Sequence, residues 1–237
     1  MKKILLIFFV VFLCSCSNQS TSQSIQNVDA VLFEINSNKD NSIIIDVRTK
    51  EEFVSGHISD ATNIDYYGSD FKEKLDLVKK DVPILVYCRS GGRSSRVANI
   101  MQSLGFTEVY NLVGGFEAWE DNGFDVIKTR DEKINKSRIY SAKEINDFLK
   151  NNKLAILDFS TQWCVPCKKM KSVLDEISNE KDVKILSLDL DANKELSKLY
   201  NIKSIPTHIF YKDNFEIFRS SGLVEKSILI NKINLKL

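Results

Sequence analysis

Apolar and polar residues alternate in blocks that divide the chain into a short apolar leader and two successive runs of strand-like and helix-like segments. Residues 4–13 are a ten-residue apolar run, and residues 17–27 (SNQSTSQSIQN) are polar and uncharged. Residues 28–36 then carry apolar positions at helical spacing, residues 42–47 (SIIIDV) read as a buried strand, and Thr49 with Glu52 makes a capping box that opens another helix. Residues 83–87 predict a second buried strand, and residues 93–104 a helix stopped by Gly105. The segment 128–138 (KTRDEKINKSR) turns charged, after which the pattern restarts. Ser141 and Glu144 form a second capping box, residues 154–159 predict a strand, a helix runs to about residue 178, and strands follow at residues 183–190 and 209–211. Strand and helix in alternation predict an α/β protein.

At 237 residues, with 43% hydrophobic residues, the chain can bury two cores, so we expect a signal segment 1–15, a tether 16–27, a first domain 28–128, a linker 129–138 and a second domain 139–237. The net charge of +1, without any basic block, excludes an electrostatic footprint for nucleic acid. Five cysteines are too few for a disulfide-stapled scaffold, so each has to be read by position.

Met1-Lys2-Lys3 ahead of the apolar run has the make-up of an export signal, because a membrane span needs roughly 20 apolar residues. Leu13-Cys14-Ser15-Cys16 resembles a bacterial lipobox, with Leu13 at −3 and Ser15 at −1. That resemblance implies lipidation of Cys16, removal of Cys14 with the signal, and a protein anchored in the cell envelope facing the periplasm or exterior.

In the first domain, Ile45-Asp46-Val47-Arg48, Glu51-Glu52-Phe53, Gly56-His57-Ile58, Ala61, Asn63-Ile64, Cys88-Arg89-Ser90-Gly91-Gly92-Arg93-Ser94 and Gly114-Gly115-Phe116 with Ala118-Trp119 occur in order. Together they resemble the rhodanese homology domain, which implies a parallel-sheet fold and sulfur transfer. A strand delivers Cys88 to a loop whose glycines leave backbone N–H groups free to point inward ahead of a helix N-terminus, a cradle for a thiolate or persulfide anion. Cys88 is thus the candidate nucleophile and sulfur carrier. Arg89, Ser90, Gly91, Gly92 and Arg93 are the candidate binding loop, with the two arginines adding fixed positive charge. Phosphatases and arsenate reductases of related architecture carry Cys-x5-Arg, whereas Cys88 to Arg93 is Cys-x4-Arg with serine at 94, which favours sulfur over phosphate chemistry. Asp46 with Arg48 reads as a structural pair, and His57 as a structural histidine.

In the second domain, Trp163-Cys164-Val165-Pro166-Cys167-Lys168, Ser204-Ile205-Pro206-Thr207 and Ser221-Gly222 occur at spacings that resemble thioredoxin, which implies a mixed central sheet. A Cys-x-x-C pair alone could hold metal, but a second ligand pair is missing and the two histidines are isolated, so no metal and no cofactor is expected. Cys164 is expected at the exposed start of a helix, where the dipole and backbone donors favour thiolate, and Cys167 one turn inward as the resolving thiol. Asp158 stands in an apolar strand, where an unpaired carboxylate is costly. It matches the buried acid through which thioredoxins move the proton of Cys167. Pro206 matches the family's cis-proline, which presents backbone to an incoming substrate strand, and Trp163 a substrate-facing surface. His208 reads as a strand residue. Two features depart from the family: the dipeptide is Val-Pro rather than Gly-Pro, and the lysine that accompanies the buried acid corresponds to Ser187 or a neighbour.

Two functions follow. The leading one is an exported thiol–disulfide oxidoreductase and sulfurtransferase whose rhodanese domain carries sulfur on Cys88. Its partners would be protein disulfides or persulfides, a small sulfur donor such as thiosulfate, an upstream membrane electron donor, and the membrane through the lipid anchor. The rival treats the rhodanese domain as a non-catalytic module that positions the thioredoxin domain on a partner protein.

Overall fold

A computed structural model of the chain describes residues 24–128 and 137–236, so Cys16 and most of the expected linker lie outside the described residues. The first domain runs β1 (Ser24–Val28), α1 (Ala30–Ser37), β2 (Ile43–Asp46), α2 (Lys50–Ser55), β3 (Thr62–Asn63), α3 (Phe71–Asp76), β4 (Pro83–Tyr87), α4 (Gly92–Ser103), β5 (Glu108–Leu112) and α5 (Gly115–Asp121). The second runs α6 (Ala142–Asn151), β6 (Leu154–Ser160), α7 (Val165–Lys181), β7 (Lys184–Asp189), α8 (Lys194–Leu199), β8 (Thr207–Lys212), β9 (Phe215–Ser221) and α9 (Lys226–Lys236).

The first sheet is parallel throughout, in the order β1-β5-β4-β2-β3. Continuous apolar strands such as Ile43-Ile44-Ile45 suit such a sheet, since helices must cover both faces. One face packs Ile45, Val86 and Cys88 against Val97 and Met101 of α4; the other packs Ile44, Leu85 and Tyr87 against Phe33 and Trp119. Thr49 and Glu52 form the expected capping box at α2, and Ser141 and Glu144 the one at α6.

One boundary is corrected. Residues 24–27, read as tether, belong to β1, which pairs in parallel with β5. Its polar residues disguise it because it is an edge strand whose Asn27 Oδ1 accepts from the side chain of buried Asn111 at 2.8 Å, a cross-strand bond with no signature in local periodicity.

The second sheet is mixed, in the order β7-β6-β8-β9, with β6 parallel to β7 and antiparallel to β8. Among the described residues no helix is long and apolar enough to cross a membrane.

The domains touch along one seam. Trp163 packs against the cores of both, as Leu77 of the first packs into the second. A cleft of about 490 Å³ between them is lined by Ser42, Ile43 and Asp60 on one side and Val165, Pro166 and Lys169 on the other.

Candidate functional site

Cys88 follows the last residue of β4 and is 1% exposed. Its loop turns back at Gly91, whose φ of +96° suits glycine, and this turn lets the Gly91 N–H donate to Cys88 Sγ at 3.2 Å. Gly92 opens α4, and the Ser94 hydroxyl reaches the same sulfur at 3.5 Å. Burial by itself raises the thiol, but the hydroxyl of Ser94 and the backbone N–H groups of Ser94, Gly91 and Ser90 outweigh it, so the net shift is downward. A second glycine is needed for close approach. A Cβ on Gly115 would lie 2.4 Å from the Cys88 carbonyl oxygen, and without one α5 comes near enough for the Phe116 N–H to bond that oxygen at 2.7 Å.

The two arginines, expected to add fixed positive charge, are each held by a carboxylate. Arg93 is held by Glu52 in a two-pronged ion pair at 2.7 and 2.8 Å, which takes the Glu52 carboxyl down to about 2. Arg89 is exposed and paired with Glu117 at 2.8 Å. Both charges are thus shared with carboxylates that α2 and α5 bring to the loop rim, and Arg93 still attracts the Cys88 anion electrostatically. The sequence reading missed Ser94 as the sulfur's donor, having used it only to count loop length, and missed Glu52 as more than a helix cap.

Asp46 and Arg48 form a buried pair, with Arg48 Nη2 donating to Asp46 Oδ2 at 2.7 Å and to the Gly56 carbonyl at 2.6 Å. His57 Nδ1 lies 2.9 Å from the Phe53 carbonyl, with its ring stacked on Phe53 at 3.8 Å. Both groups brace the loop between β2 and β3 and do not touch Cys88 in any bond described.

In the second domain Cys164 and Cys167 form a disulfide. Cys164 is the N-cap of α7, its sulfur accepting from the Cys167 N–H at 3.1 Å, and Pro166 stands in the first turn, where its missing donor costs nothing. The expectation of an exposed Cys164 is corrected: it is 3% exposed and Cys167 6%. Its surroundings come in part from the other domain, for the Val165 N–H donates to Thr62 Oγ1 at 3.3 Å. Trp163 packs on both cores and donates to Asp191 at 3.3 Å. Pro206 follows a cis peptide bond, and its carbonyl accepts from the Gly222 N–H at 2.9 Å.

Asp158 is 6% exposed and, together with Cys167, lines a cavity of about 330 Å³. Sheet register builds a polar row around it: Ser187 on β7, Asp158 on β6, His208 on β8 and Ser220 on β9 are successive neighbours. Directly paired residues put their side chains on the same face. Ser187 therefore lies beside Asp158 on the same face of the sheet. His208 is fully buried with Nε2 at 3.4 Å from Asp158 Oδ1, a distance that admits ion pairing although the two are not aligned for a hydrogen bond.

Val165, between the two cysteines, donates to Thr62, which pairs with Ile45 level with Val86, so this contact falls two residues before Cys88 along the strands and two strands away from β4 in the sheet.

A family model described as a rhodanese-like domain matches residues 29–122, and one described as thioredoxin matches residues 136–235. The thioredoxin of Mycobacterium tuberculosis (strain ATCC 25618 / H37Rv) is 34% identical over 108 residues, which are 45% of this chain and 93% of that protein. YqhL of Bacillus subtilis (strain 168), described as uncharacterized, is 42% identical over 76 residues, 32% of this chain and 59% of that protein. Among solved structures, a rhodanese-related protein from Thermoplasma volcanium aligns at 26% identity and a TM-score of 0.40, covering 44% of this chain and 99% of that one.

Proposed function

The chain belongs to the thioredoxin family through its second domain and carries a rhodanese-like domain ahead of it, so it is a thiol–disulfide oxidoreductase with a rhodanese module, and we propose that it reduces disulfides and persulfides in the cell envelope. The observation that carries this reading is the Cys164–Cys167 pair at the start of α7 beside buried Asp158. In the reduced protein the Cys164 thiolate attacks one sulfur of the substrate bond, which breaks and releases the other sulfur as a thiolate. Cys167 then gives its proton to the Asp158 carboxylate, and its sulfur displaces the substrate from Cys164. Two electrons have passed to the substrate, the Cys164–Cys167 bond has formed, and an upstream membrane donor restores the dithiol.

Cys88 is the sulfur carrier in this proposal. Its thiolate attacks the outer sulfur of thiosulfate, sulfite leaves with the electron pair, and a persulfide anion remains in the cradle of Ser94 and Gly91. That persulfide is itself a substrate for the dithiol when the domains reorient. The amino-terminal residues 1–16 extend the proposal to export and lipid anchoring at Cys16.

The rival reading, a rhodanese domain that only positions the dithiol, is favoured by the contact between the domains. Sulfur transfer from thiosulfate to cyanide separates the two. The carrier role expects turnover, an adduct of about 32 Da on Cys88 by mass spectrometry, and loss of both in Cys88→Ala. Undiminished turnover in Cys88→Ala sinks that role.

A further inference from the structure

Protein substrates reach a dithiol as extended segments that pair with backbone beside it, because main-chain hydrogen bonds supply affinity without demanding a particular sequence. Here the backbone in question is occupied. The N–H of Ile205, immediately before Pro206, donates to the Leu77 carbonyl at 2.9 Å, and Val78 pairs with Ile205 in a parallel bridge. The stem of Lys79 lies against Gly222, where an added Cβ would come within 2.8 Å of it. Lys74 sits over the Trp163 ring at 5.7 Å. Thr62 takes the Val165 N–H, and outside these contacts stand two exposed ion pairs, Lys169 with Asp60 at 2.7 Å and Lys194 with Glu73.

We propose that residues 76–79 of the rhodanese-like domain are a resident pseudosubstrate that closes the dithiol to protein clients. Leaving the end of α3, Asp76-Leu77-Val78-Lys79 meets the backbone beside Pro206 through one hydrogen bond at Leu77 and one isolated bridge at Val78, yet it contains no cysteine and gives Cys164 nothing to attack. The inference rests on the oxidoreductase reading of the dithiol and adds its regulation. Because the cap is part of the same chain, its local concentration is high whatever the protein concentration, and a client must either wait for the domains to part or displace the segment. The fraction of open molecules therefore multiplies the rate at which clients are reduced. Closure is electrostatically adjustable, since an exposed ion pair shifts such an equilibrium by a factor of roughly 1.4 to 5 and is weakened by salt.

The test uses the full chain in its reduced state and follows reduction of insulin. Wild type should be slow at low ionic strength and faster as salt is added. The Lys169→Glu/Lys194→Glu variant should be at least about 2- to 25-fold faster at low salt, with its salt dependence lost or reversed, because both attractions become repulsions. Lys194→Glu alone should show part of that gain, and adding Glu73→Lys should restore the slow wild-type rate by re-forming the pair with its signs exchanged. Equal rates for wild type and the double variant at every ionic strength overturn the cap, as does a charge exchange no slower than Lys194→Glu. Failure of every variant to reduce any disulfide, insulin or glutathione disulfide, overturns the oxidoreductase reading and the cap with it, a result distinct from equal but measurable rates.

Discussion

Replacing Ser94 by alanine distinguishes two ways of stabilising the Cys88 anion, by hydrogen bonds from the loop or by the charges of Arg89 and Arg93. Ser94 is fully buried and its hydroxyl reaches Cys88 Sγ, so Ser94→Ala removes one donor while leaving the burial that raises the thiol. A hydrogen bond to a charged group is worth about 1.5–3 kcal/mol, and at 3.5 Å to sulfur the lower end applies, which is about one pH unit in the midpoint of thiolate formation. Where the midpoint lies above the assay pH, the thiolate fraction falls about tenfold, the more basic sulfur recovers about threefold in intrinsic reactivity, and alkylation slows about threefold. The assay is the pH dependence of iodoacetamide alkylation of Cys88 in a Cys164→Ser/Cys167→Ser background, with thiolate absorbance as a second readout. Arg89→Ala should leave the midpoint in place, because that guanidinium is exposed and already paired with Glu117. An unmoved midpoint in Ser94→Ala, or a larger displacement in Arg89→Ala, refutes the hydrogen-bond account.

Cys167→Ser should accumulate mixed disulfides with clients on non-reducing gels, whereas Cys164→Ser should not; equal trapping would reverse the roles of the two thiols. Asp158→Asn leaves no carboxylate to accept the Cys167 proton, so single-turnover release of substrate should slow at least 10-fold at neutral pH and recover as pH rises, as stopped-flow fluorescence of Trp163 can follow. Glu52 is held at about 2 by Arg93 against an ordinary value of 4.5, so its contribution to stability is complete above about pH 4.5 and lost as pH falls towards 2. Urea denaturation of Glu52→Gln should accordingly show a lower stability than wild type at neutral pH and a smaller loss across that acid window.

The sequence by itself determined what depends on neighbours along the chain. The capping boxes at Thr49 and Ser141 place the starts of α2 and α6 because each is a contact between residues three apart. Apolar runs mark β2, β4 and β6, and the residues following them put Cys88 and Cys164 at the ends of strands, where helix starts and turning loops offer N–H groups. The resemblances that the ordered motifs carry then implied one parallel and one mixed sheet.

Only the tertiary structure decided which groups those sulfurs meet. Ser94 joins Gly91 as a donor to Cys88, while α2 and α5 bring Glu52 and Glu117 to the arginines across the fold and leave Arg93 acting on the sulfur only through its charge. His208 faces Asp158 through the register of β8 on β6, and β1 exists as a strand only by leaning on β5. Leu77 reaches Ile205 only because two domains with separate cores approach along one seam. Register and docking are set by long-range packing, which leaves no period and no spacing in the chain to read, and so the burial of Cys164 could be found only in three dimensions.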